Sequence, residues 1–169
     1  MHVWYVASVW LHVVAASLWV GGMLFLVLVL VPALKTLPDR QLAVQLIRDT
    51  GRRFRLVGWV TLGVLLATGF TNLWARGITL AMLGTPAFWQ APFGAVLAFK
   101  LGVVLLILTL SAIHDFSLGP RASAALRARP DAPEAQRLRL LATWFGRANL
   151  LLALVVVACG VMLVRGRPW

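Results

Sequence analysis

The sequence predicts an all-α fold: an integral membrane antiparallel four-helix bundle, one domain over residues 1–169, with both termini extracytoplasmic. Three observations carry this. The chain is 61% hydrophobic and only 12% charged, where soluble domains carry roughly 25% charged residues. Its mean hydropathy is +0.88. Its apolar residues fall into four runs, each able to provide the roughly 20 residues that cross a bilayer core of about 30 Å.

Orientation follows from charge. Of the 16 Lys and Arg, Lys35, Arg40, Arg48, Arg52, Arg53 and Arg55 precede the second run, and Arg121, Arg127, Arg129, Arg137, Arg139 and Arg147 precede or open the fourth. Basic residues collect in cytoplasmic loops, so both segments are expected inside and both termini outside, in a bacterial-type cytoplasmic (inner) membrane. The net charge of +11 then suits anionic headgroups of the lipid bilayer. No nucleic-acid partner is expected, because no aromatic or glycine pattern for base recognition accompanies it. One cysteine, Cys159, excludes an internal disulfide. The N-terminus lacks a basic n-region, and its apolar run is too long for a signal peptide, so it is expected to stay in the mature protein.

Span one covers residues 3–34, with Trp4, Tyr5 and Trp10 at its outer end in the manner of an interfacial aromatic belt. Asp39 reads as the N-cap of a short amphipathic helix, Gln41 to Asp49, which Gly51 should separate from span two at residues 56–75. Thr61, Leu65, Thr68 and Asn72 share a face of that span, while Gly58 and Gly63 allow close approach elsewhere. Residues 76–92, with Met82, Phe88 and Trp89 among Gly and Pro, read as an irregular outer lid. Span three, residues 93–118, carries Lys100, His114 and Asp115, and Gly119-Pro120 should end it. A capping-box-like Asp131-Ala-Pro-Glu134 opens a helix that runs unbroken into span four at residues 145–164. No repeat is visible, although spans one and two loosely echo three and four.

Ser8, His12, Ala15, Ala16, Trp19 and Gly22 share one helix face. An ionisable residue inside a span marks a functional site by default, because burying it costs free energy that an apolar side chain would not. At 1.5 Å per residue, His12 lies about 14 Å and Lys100 about 10 Å below the outer surface, near the depths of Thr68, Asn72 and Cys159. His114 lies about 21 Å deeper than Lys100, beside Asp115 and the inner arginines such as Arg147. Two polar layers are therefore expected. His12 and His114 are too far apart to ligate one haem within a chain.

The outer layer admits several chemistries. Cys159 and Met162 are three apart on one helix face; with His12 they offer soft donors and an imidazole suited to Cu(I). Haem b is the other possible cofactor, with His12 as one axial ligand and Lys100, water or a second subunit's histidine opposite, and Thr68 and Asn72 nearby. Against these stand structural readings: an interhelical hydrogen bond from His12 to Thr68 or Ser8, Lys100 snorkelling to headgroups, and His114 and Asp115 paired with Arg147 or Arg53. All five acids, Asp39, Asp49, Asp115, Asp131 and Glu134, fall on the cytoplasmic side, so no proton relay across the membrane is expected. No catalytic triad, paired-carboxylate site or phosphate loop is present in the sequence.

The run from His12 to Trp19-Val-Gly-Gly22, Arg53-Phe54 leading to Ala67-Thr68-Gly69, and Phe93-Gly94 through Lys100-Leu101 together resemble the copper-resistance protein D (CopD) family. The chain is also distantly similar to HemJ-type protoporphyrinogen oxidases. The first resemblance implies copper uptake or tolerance. The second implies a haem-binding redox protein using His12 and Lys100. A non-catalytic helper subunit is the third expectation, and a homo-oligomer or redox partner fits any of them.

Overall fold

A computed structural model describes residues 2–129 and 132–166. They are helical almost throughout, with no strand among the described residues. The elements are α1 (His2–Phe25), a π turn (Leu26–Leu30), α2 (Val31–Lys35), α3 (Arg40–Ala75), α4 (Leu80–Leu83), α5 (Pro86–Gln90), α6 (Pro92–Ile113), a second π turn (His114–Leu118), α7 (Gly119–Ala128) and α8 (Pro133–Arg165). Four helical stretches, Val3–Lys35, Gln41–Ala75, Pro92–Ala128 and Pro133–Arg165, are long and apolar enough to cross a membrane. The chain forms two compact units, Met1–Gly84 and Thr85–Trp169. Each is a hairpin of long helices.

In hairpin 1 the partners along α1 run backwards along α3: Ser8 meets Thr71, His12 meets Thr68, Trp19 lies against Gly58, and Gly22 faces Phe54. The two helices are thus antiparallel. Gly22 lets the Phe54 ring pack directly on α1, where a Cβ would force that ring aside. Gly58 fits the expected close approach, whereas Gly63 has open space around it. Asp39 caps α3 as expected, its Oδ1 accepting from the backbone N–H of Gln41 at 2.8 Å and Leu42 at 3.0 Å.

Gly51 does not end a separate surface helix. α3 continues through it for 36 residues. A helical glycine costs only about 1 kcal/mol relative to alanine, and helix on both sides makes propagation easier than a fresh nucleation. Asp49, bonded to Arg48 Nε at 3.2 Å and Arg52 Nη2 at 3.0 Å, bridges the same turn.

Gly119-Pro120 does not end span three either. The helix widens into a π turn and proceeds. Gly119 N–H bonds His114 O, five residues back, and the proline follows at once. In α-register the Pro120 ring would strike the carbonyl of Phe116; the inserted residue of a π turn relieves that clash. Span one uses the same device: Val31 N–H bonds Leu26 O, and Pro32 follows.

The agreement extends well beyond the prolines. In hairpin 1, Ala15, Trp19, Met23 and Leu34 are buried; in hairpin 2, Val103, Ile107, Ser111 and Ala122 are buried, each 88 residues later. From Leu11–Leu34 to Phe99–Ala122 the order of buried, half-buried and exposed residues recurs at all but two positions, Val14/Gly102 and Val29/Ser117. The second helices follow, with buried Thr61 and Leu62 matched by Asn149 and Leu150 at the same spacing. The faint echo between the halves is one hairpin design used twice.

The connection after α3 is more ordered than an irregular lid, forming α4 and α5. Thr79 caps α4 through Met82 N–H. Phe88 stacks edge-on with Trp89 and Phe93. Gly94 is essential at the start of α6, because a Cβ there would overlap the Phe88 backbone carbonyl. α8 is unbroken, as the sequence predicts. Its N-cap is Ala132, and the expected capping residue Asp131 lies outside the described residues.

Candidate functional site

In hairpin 1 the polar layer is built on two antiparallel helix faces. Ser8 and His12 stand one turn apart on α1, and Thr68 and Thr71 almost one turn apart on α3. Their hydroxyls can be followed proton by proton. Thr68 Oγ1 donates to Val64 O at 2.6 Å, which uses its single hydrogen. His12 Nδ1 lies 2.7 Å from the same oxygen, so Nδ1 carries the proton and donates. A neutral ring then has its lone pair on Nε2. Thr71 likewise donates to Thr68 O at 3.0 Å and Ala67 O at 3.1 Å, so the Ser8 hydroxyl hydrogen faces Thr71 Oγ1 at 2.8 Å, with Thr68 O a longer acceptor at 3.5 Å.

The expected interhelical bond between His12 and Thr68 is therefore present, and it also fixes the tautomer. Thr68 is buried and His12 half-buried. His12 Cε1 would lie 3.6 Å from a Cβ at Gly69, which holds the ring edge against α3. Asn72, one turn beyond Thr68, keeps a shielded Oδ1 without a hydrogen-bond partner. Three of the residues expected around His12 are thus gathered in one hairpin.

Hairpin 2 places its own candidates. Lys100 occupies the position 14 residues ahead of the π turn, as His12 does in hairpin 1. It is half-buried, and its Nζ would be 3.9 Å from a Cβ at Gly160, towards the C-terminal end of α8. Cys159 is buried and Met162 half-buried on that helix. Deeper in the same hairpin, His114 Nδ1 is 3.0 Å from Asp115 Oδ1, and the Arg147 guanidinium lies over the Trp144 ring at 5.4 Å. Among the described residues, no three or more His, Cys, Asp and Glu stand together as a metal-holding group.

One polar pair went unanticipated. Asn149 Nδ2 donates to Ser111 Oγ at 2.8 Å, with both residues buried. A lone serine in a Leu-rich run reads as helix packing, and only its distance from His114, three residues on, marks it.

A chain whose helices are this long and apolar is a multi-pass membrane protein. It belongs to the copper resistance protein D family, whose model matches residues 48–163. The match opens within α3, so His12 precedes it. Over 157 residues, 92% of each chain, it is 34% identical to an uncharacterized protein of Aquifex aeolicus (strain VF5). Over 104 residues, 62% of this chain, it is 34% identical to the copper transport protein CutJ of Bacillus subtilis (strain 168), of which it spans 17%. No solved structure matches.

Proposed function

We propose that this protein handles copper in the outer half of an inner membrane, with its termini outside. The observation that carries this is the oriented imidazole of His12. Thr68 Oγ1 accepts a hydrogen bond from Nδ1–H, which makes Nε2 the ring nitrogen with a lone pair to offer a metal, and such partners both aim a histidine and raise its basicity. In hairpin 2 the soft donors offered to copper are Cys159 and Met162. A sparse donor set suits cargo, because an ion in passage must bind well enough to enter and weakly enough to leave. Membership in the copper resistance family and the likeness to a copper transport protein favour copper over other ions.

The test is the metal content and colour of the purified full chain, made with ample copper and haem. Bound copper in colourless protein, reduced in His12→Ala, is the expected result. A Soret band lost in His12→Ala would establish the haem reading instead, and protein free of both would favour a helper subunit.

A further inference from the structure

Hairpin 1 reveals which groups the shared design can do without. It follows the same helix, π turn and helix with Met23, Leu26 and Val27 where hairpin 2 has Ser111, His114 and Asp115. Those polar groups are therefore not demanded by the π turn or by the packing of the buried face. The partner helix differs in the same sense. Thr61 satisfies its hydroxyl on its own helix, through Val57 O and Gly58 O at 2.9 Å each. Its counterpart Asn149 reaches across to Ser111 and leaves Oδ1 buried without a partner.

An unmatched carbonyl buried among apolar side chains is costly, because they offer no donor in place of the one it loses on leaving bulk water. The chemistry around it defines the missing ligand. Ser111 Oγ accepts from Asn149 Nδ2, which leaves the serine hydroxyl hydrogen to donate. Asn149 Oδ1, on the same amide, needs a donor. A ligand that gives one hydrogen bond and receives another satisfies both, whereas a metal cation could receive none. Ser111 is also shorter than the Met23 it replaces in the buried face. We propose that Ser111 and Asn149 form a buried water site in hairpin 2, one helical turn from the His114–Asp115 pair, independent of the copper reading.

The test uses the full chain in lipid nanodiscs. A structure at a resolution that places waters is expected to show density within hydrogen-bond distance of both Asn149 Oδ1 and Ser111 Oγ. Infrared spectra should show a water O–H stretching band that shifts in H2 18O and is lost in Asn149→Leu. Ser111→Ala, a smaller change that keeps the amide, is expected to weaken or displace the same band. Absence of the density with Oδ1 bonded to a protein donor, a metal-like coordination shell at that position, or a band unchanged in both variants would overturn the proposal.

Discussion

Hairpin 1 and hairpin 2 share a path but not a chemistry. Both pass through a π turn placed just ahead of a proline, and both bury the same positions of their first helix. At the position 14 residues before the turn, however, one carries His12 and the other Lys100. Below it, hairpin 1 has Met23, Leu26, Val27 and Thr61 where hairpin 2 holds Ser111, His114, Asp115 and Asn149. The shared features are what the fold needs, and the differing ones are where function is to be sought.

The largest expected effect concerns a feature that hairpin 2 has and hairpin 1 lacks. Gly94→Ala pushes a Cβ into the Phe88 carbonyl, and backbone has little room to yield. A loss of about 3 kcal/mol is expected, towards the upper end of overpacking costs, read as a fall in thermal stability in detergent. Gly22→Ala in hairpin 1 meets the Phe54 side chain instead, which can rotate, and should cost about 1 kcal/mol. Equal losses would mean that the two glycines do the same work.

Next comes the imidazole. Thr68→Val removes the acceptor that holds the Nδ1 proton of His12 while keeping shape, and copper affinity should fall about 10–100-fold, as for other groups that orient a metal ligand. Stability should change by less than the Gly94→Ala loss. The smallest effect is expected from Pro32→Ala and Pro120→Ala. Each turn already accommodates its ring, so each change should stay within about 1 kcal/mol, well below the roughly 3 kcal/mol of an unaccommodated helical proline. The sharper point is that the two shifts should match; a large effect in one hairpin alone would break the equivalence of the turns.

Much of this was legible from the sequence. Hydropathy located the helices, and helical spacing put Ser8, His12 and Trp19 on one face. The unbroken run of α8 into span four also held. Gly51 misled because a glycine costs little in a long helix already nucleated on both sides, and Gly119-Pro120 because the proline is absorbed by a π turn, which has no sequence signal of its own. The duplication was hidden for a different reason. Between Leu11–Leu34 and Phe99–Ala122 only Leu18/Leu106, Leu30/Leu118 and Pro32/Pro120 coincide, since any apolar residue serves at a position facing lipid or a neighbouring helix. Burial repeats where identity does not. The Ser111–Asn149 pair was equally unreadable, because its meaning depends on two helices meeting.

The most direct test is a Cu(I) titration of the full chain under reducing conditions, in competition with a chelator, comparing the unmodified protein with His12→Ala. The expected result is saturable binding that weakens at least 10-fold in the variant, by analogy with the loss of a metal-orienting group. Binding of the same strength in both proteins would contradict the assignment of His12 as the imidazole that copper meets.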